Sequence, residues 1–129
     1  PDVVVTYPVH GVSGFHDHLV THAAVKSVFC RMKKEGRAPK RLAFIALRQE
    51  QAAKSPLFRL NHSTDTEIDC NITVEEEDHA ALHKALDCYT TFLETINASG
   101  VRNILNETMS FEFYMESFNP PVNDLFHGL

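Results

Sequence analysis

Two short apolar runs constrain this chain more than any other feature. Val3-Val4-Val5-Thr6-Tyr7 and Leu42-Ala43-Phe44-Ile45-Ala46-Leu47 are continuous rather than alternating, the pattern of strands covered on both faces. Between them, residues 17 to 35 put Leu19, Ala23, Val25, Phe29, Cys30 and Met32 on the apolar side of a helix that ends near Gly36. Strand, helix and strand in that order make a βαβ unit, whose crossover requires the two strands to run parallel. The first run is expected in the centre of the sheet.

The remaining pattern adds to this unit. Residues 48 to 61 are polar, include Pro56 and read as an active-site or surface excursion, and residues 66 to 72 read as a short alternating edge strand. Thr73, with Glu76 completing a capping box, is expected to open one long helix that carries Leu82, Ala85, Leu86, Tyr89, Phe92, Leu93 and Ile96 to about Asn97 or Gly100. Met109 to Met115 alternates as a half-covered strand, and Asn119-Pro120-Pro121 starts an irregular tail. The expected fold is α/β: a three-layer, Rossmann-like, partly parallel sheet flanked by helices. Open parallel sheets usually have more strands than these, so strands on the N-terminal side are expected to be missing. With 129 residues and 43% hydrophobic content, the chain suffices for one domain.

A net charge of -5 with no basic stripe argues against a nucleic-acid partner. The one basic run, Arg31 to Arg41, reads as the wet end of a helix and its exit loop. No stretch of eighteen apolar residues is present, so no membrane span is expected. Cys30, Cys70 and Cys88 lack CxxC spacing and read as small buried side chains in a reducing, cytoplasmic setting. Glycosylation sequons begin at Asn61, Asn71, Asn97 and Asn106, more than chance spacing gives, and nothing else in the sequence explains them.

The chemistry-bearing feature is the segment His10 to His22, which holds His16, Asp17, His18 and His22 where the first strand passes through a glycine-punctuated loop into the helix. This is where α/β proteins place their sites. His18 and His22, four apart, share one helix face within reach of a metal, and imidazole with carboxylate favours zinc. Asp17 is suited to capping the helix or to fixing a histidine tautomer. Arg48, just past the second strand, is placed to bind an anionic part of a substrate. His62, His79, His83 and His127 read as surface or tail residues, and Tyr89 as a core residue or one lying behind the site. The competing reading is a structural α/β domain with incidental histidines.

The stretch Gly11-Val12-Ser13-Gly14-Phe15-His16-Asp17-His18-Leu19-Val20-Thr21-His22 resembles the Gly-His-Pro-Asp-His-x-x-x-His segment of the LmbE-like or PIG-L-like zinc deacetylases. Lys84 to Phe92 is similar to a later helical motif of that family, and Asp124 to Leu129 to a terminal signature. The resemblance runs in order through nearly the whole chain and makes residues 1–129 the C-terminal portion of one such domain. It implies zinc-dependent hydrolysis of an acetamide, with an N-acetylglucosaminyl or related small-molecule amide as substrate. His18 is the implied zinc ligand, Asp17 supports the catalytic groups, and His22 is a supporting histidine.

The family's electrophilic histidine falls on Phe15 and the following proline on His16. The oxyanion-stabilising role is therefore assigned to His16, because phenylalanine has no proton to donate. The family's upstream His-Pro-Asp-Asp-Glu motif, which supplies two further zinc ligands and the general base, does not occur in this chain. The chain alone is expected to be inactive, the rest of the site coming from upstream of Pro1 or from another chain, a second copy included. The alternative is a non-catalytic or altered relative that binds a small molecule or serves a structural role.

Overall fold

The computed structural model describes residues 1–104 and 108–129. Strands β1 (Val3–Thr6), β2 (Arg41–Ala46), β3 (Cys70–Thr73) and β4 (Thr108–Phe113) form one sheet in the order β1-β2-β4-β3. Helix α1 (His16–Lys34) carries the chain from β1 to β2, which pair in parallel with Val4 opposite Leu42 and Thr6 opposite Phe44. β4 lies antiparallel to both neighbours, Phe44 facing Glu112 and Cys70 facing Phe111. The protein is thus a mixed α/β fold with a partly parallel sheet flanked by helices.

The two sheet faces are covered differently. Leu42 and Phe44 point to the face where α1 lies and pack with Phe29, Val4, Val25 and Tyr114. Ala43, Cys70, Phe111 and Phe113 point the other way and are covered by Phe118, Val122 and Leu125 of the C-terminal tail. A third cluster of Leu47, Ala52 and Ile104 joins the loops through Val12 and Leu60, and it includes Ala52 of the short helix α2 (Gln49–Ala52).

Several expectations are corrected. β1 is an edge strand, not a central one: among the described residues only β2 pairs with it, and Val5 is 47% exposed. The strand expected at 66 to 72 starts at Cys70, because the Asp69 carboxylate turns inward to accept the backbone N–H groups of Phe113 and Phe118 at 2.7 and 2.9 Å. The outer edge of β3 is closed by the tail, with Asn71 N–H donating to the Val122 carbonyl and Val122 N–H to that of Asp69.

Thr73 belongs to β3 and caps nothing. Helix α3 runs Glu76–Asp87 behind Glu75, whose N–H donates to the Asp78 carboxylate at 3.0 Å. The expected long helix breaks after Asp87 into a 3-10 turn at Thr90–Phe92 and helix α4 (Leu93–Ser99). α3 buries none of its residues and Tyr89 is exposed, against its expected place in or behind the core. Its apolar positions find no sheet face to cover, because α1 and the tail occupy both.

Arg41 overturns the solvated reading of the basic run. α1 does end in Arg31, Lys33 and Lys34, cations that complement the helix dipole, but Arg41 opens β2 and is 1% exposed. Its guanidinium grips both Glu116 carboxylate oxygens at 3.0 and 2.6 Å and donates to the carbonyls of Leu125 at 2.5 Å and His127 at 3.0 Å. It also lies 4.2 Å from the ring centroid of Phe113. Of the cysteines only Cys70 is buried; Cys30 is half-buried and Cys88 exposed.

Among the sequons, Asn61, Asn71 and Asn97 use their side-chain amides in hydrogen bonds to Val12, Ser110 and Arg102. The one at Asn106 begins outside the described residues. Among the described residues no helix is long and apolar enough to cross a membrane.

Candidate functional site

The loop from Tyr7 to Phe15 shapes the site because three of its residues, Gly11, Val12 and Gly14, adopt left-handed backbone. Gly11 has φ +63°, and a Cβ there would stand 3.0 Å from the His18 Cβ and 3.1 Å from Leu19 Cδ2. Only glycine lets the loop come this close to α1. Val12 follows at φ 58°, which a β-branched residue rarely adopts, and its N–H is spent on His10 Nδ1 at 3.1 Å.

His18 is fixed on three sides. Its Nδ1 lies 2.9 Å from the Gly11 carbonyl and 3.0 Å from the Ser13 hydroxyl. A carbonyl can only accept, so Nδ1 carries the proton and Nε2 presents its lone pair. The ring stacks on Tyr7 at 4.0 Å and 9°, and Phe15 approaches at 5.6 Å. His22, buried one turn further on, donates from Nδ1 to the Tyr7 carbonyl at 2.8 Å, which leaves its Nε2 as the lone-pair nitrogen too. Both imidazoles therefore hang from Tyr7, one by its ring and one by its carbonyl. A carbonyl-held Nδ1–H is the arrangement that prepares a histidine for ligation through Nε2.

His10 has the opposite polarity. Its Nδ1 accepts, so Nε2 holds the proton when the ring is neutral, and that nitrogen is buried without a partner. Burial is the main cause that lowers its pKa, partly opposed by Glu67.

The remaining candidates spread around this pair. Asp17 does not cap α1: Phe15 is the N-cap residue and makes no side-chain cap. The Asp17 carboxylate is exposed and reaches 4.0 Å from His18 Nε2. His16 is exposed at the helix mouth. Phe15 is half out in solvent with its ring edge-on to Phe58 at 5.2 Å. The Arg48 guanidinium pairs with Asp65 and reaches Asn71 Oδ1 at 3.4 Å. His62 is exposed, His83 contacts the Arg102 carbonyl at 3.4 Å, and His127 packs edge-on to Phe118 in the tail.

Among the described residues no group of three or more His, Cys, Asp or Glu side chains is placed to hold a metal ion. The donor chemistry fits one corner of a tetrahedral zinc site, His18 Nε2, and not a complete one.

Glu112 is a site neighbour that the sequence reading passed over. It stands opposite Phe44, and its carboxylate accepts the Ser63 hydroxyl. Burial raises its pKa, the Ser63 bond pulls the other way, and His22 adds a smaller lowering effect. A single acid within the alternating run Met109 to Met115 was the available signal. No protein-family model and no curated protein matches this sequence.

Proposed function

We propose that this chain supplies one part of a zinc-dependent amide-hydrolase site, with His18 as a zinc ligand, in a protein that removes an acetyl group from an N-acetylated amino sugar or related amide. The observation that carries the proposal is the His18 imidazole, whose Nδ1–H is held by the Gly11 carbonyl and whose Nε2 is left for a metal. The remaining ligands and the general base come from polypeptide outside residues 1–129, added as a strand along β1 in a Rossmann-like sheet. The outer edge of β1, unpaired among the described residues, supports this, as does the apolar groove of about 330 Å³ beside it, lined by Val4, Ala24, Val25, Val28, Phe29 and Met32.

Zinc, when bound, activates water and polarises the amide carbonyl. His16, at the mouth of α1, donates a hydrogen bond to the developing oxyanion, helped by the helix dipole. Asp17 orients the neighbouring imidazoles, His22 steadies Tyr7, and Arg48 exchanges Asp65 for an anionic group of the substrate. The same proposal places the protein in the cytoplasm, its three cysteines unpaired.

The test is a set of variants in the complete protein, assayed for zinc content and acetamide hydrolysis. His18→Asn is expected to lose zinc and activity together. His16→Ala is expected to keep zinc while turnover falls about 100-fold or more, the loss typical of an oxyanion donor. Wild-type turnover in His16→Ala overturns the role of His16, and turnover by the isolated 129-residue chain overturns the shared site.

A further inference from the structure

Val12 holds a conformation that its own side chain disfavours, at φ 58°, and its surroundings keep it there. It is the middle residue of a three-residue turn closed by the Ser13 N–H, which donates to the Gly11 carbonyl at 2.6 Å. A positive φ at that position belongs to the rare, strained form of such a turn. The Val12 N–H is taken by His10 Nδ1 at 3.1 Å. The Val12 carbonyl accepts twice from one residue, from the Asn61 backbone N–H at 2.7 Å and from the Asn61 side-chain Nδ2 at 3.0 Å.

Asn61 is anchored on both sides. Leu60 before it packs with the cluster of Leu47, Ala52 and Ile104, which Val12 also joins. Ser63 after it donates its N–H to the carbonyl of Leu47, just past β2, at 2.9 Å. The clamp on Val12 therefore ties the end of β2 to the β1–α1 loop across 49 residues of sequence. On the other side of the turn, the Gly11 carbonyl accepts the Ser13 N–H and, at 2.9 Å, the Nδ1–H of His18. The φ of Val12 sets how the peptide plane that holds this carbonyl stands against the rest of the turn. A Val12 relaxed to negative φ swings the carbonyl away from the imidazole.

We propose that Asn61 is a positioning residue for His18: its two donors hold Val12 in left-handed backbone, and that conformation aims the Gly11 carbonyl at His18 Nδ1. Stacking on Tyr7 fixes the plane of the His18 ring, but not which edge of the ring faces the loop. The Gly11 carbonyl decides that, and with it which nitrogen carries the proton and which is left for a metal. The Ser13 hydroxyl, 3.0 Å from the same Nδ1, moves with the same turn.

Two measurements in the metal-free protein test the clamp without zinc or substrate. Amide hydrogen exchange at Val12 and Ser13 reads how often the turn opens. The ring nitrogen shifts of His18 at alkaline pH, where imidazoles are neutral, read which nitrogen holds the proton. Asn61→Ala removes one donor at an exposed position and is expected to raise exchange at Val12 and Ser13 about two- to fivefold, the scale of one ordinary hydrogen bond. Exchange in β2 should stay unchanged, and part of the His18 proton should move to Nε2. Asn61→Asp sets a carboxylate against the Val12 carbonyl and should do more of both.

Val12→Gly added to Asn61→Ala should return both readouts towards wild type, since glycine adopts positive φ freely. A loop that Asn61 merely stiffened would be loosened further by the added glycine. Wild-type exchange in both Asn61 variants, faster exchange with the His18 shifts unmoved, or no return with Val12→Gly overturns the proposal. What a metal gains from the clamp rests on the proposed role of His18, and the complete protein separates the two. There zinc affinity is expected to fall in Asn61→Ala, to fall further in Asn61→Asp, and to recover when Val12→Gly is added to Asn61→Ala. Zinc held at wild-type affinity while the exchange and the His18 shifts respond supports the clamp and removes His18 as a ligand.

Discussion

Replacing Arg41 with methionine tests what holds the tail to the sheet. The substitution keeps most of the side-chain volume between Phe113 and Phe118 and deletes the charge and every donor. Wild-type Arg41 makes two hydrogen bonds to Glu116 and two to backbone carbonyls 84 and 86 residues away in sequence. Removing one partner of a buried ion pair costs about 3–5 kcal/mol. Glu116 is 31% exposed, so it rehydrates in part and the low end applies to its share. The carbonyls of Leu125 and His127 add about 1 kcal/mol or more each where water does not replace the lost donor.

A total near 5 kcal/mol corresponds to a midpoint lowered by roughly 15–25 °C for a domain of this length. Urea or thermal unfolding measures it. Limited proteolysis adds a local readout, since residues 114 to 129 should be cut before the sheet unfolds. Glu116→Gln alone should cost less, and Arg41→Met with Glu116→Gln should cost less than the sum of the two. A loss below about 1 kcal/mol in Arg41→Met, or strict additivity in the cycle, refutes the clamp.

Two further outcomes follow from the site loop and the cysteines. Gly11→Ala should cost about 1–3 kcal/mol, because a Cβ at φ +63° meets His18 and Leu19 at 3.0 and 3.1 Å, and it should shift the His18 ring resonances; wild-type stability with unmoved resonances would discount the close approach. In the native protein iodoacetamide should modify exposed Cys88 first and Cys70 last, since burial pushes the Cys70 thiol up to about 11 and leaves almost no thiolate at pH 8. Peptide mapping gives the order, and equal rates at Cys70 and Cys88 would contradict the buried position of Cys70.

What the sequence made legible is what local pattern determines. The β1-α1-β2 unit, its parallel pairing and the location of the histidines come from two apolar runs and one helical period, all within residues 3 to 47. Illegible were features set by distant partners. Arg41 reads as one more cation until Glu116, 75 residues on, is brought beside it. Glu112 reads as the polar side of an alternating strand until the Ser63 hydroxyl, 49 residues away, is brought to its carboxylate. The long helix expected from Thr73 failed for a third reason: its apolar period is real, yet nothing is left for α3 to cover. Within the site, the sequence located His18 and His22 and said nothing of Tyr7, whose part depends on one ring contact and one carbonyl.

The strand order β1-β2-β4-β3 also has a consequence in time. β4, the last strand in the sequence, sits between the second and the third. During synthesis β1, α1 and β2 can assemble as soon as they emerge, but β3 has no neighbour in the sheet until residues 108 to 113 arrive. At roughly 5–20 residues per second, the interval from the end of β3 to the end of β4 is about 2–8 seconds. Through that interval the face that will be closed by Phe111, Phe113 and the tail stays open. Folding of the second half is therefore governed by the arrival of one strand, and a chain stopped before Thr108 keeps only the β1-β2 pair.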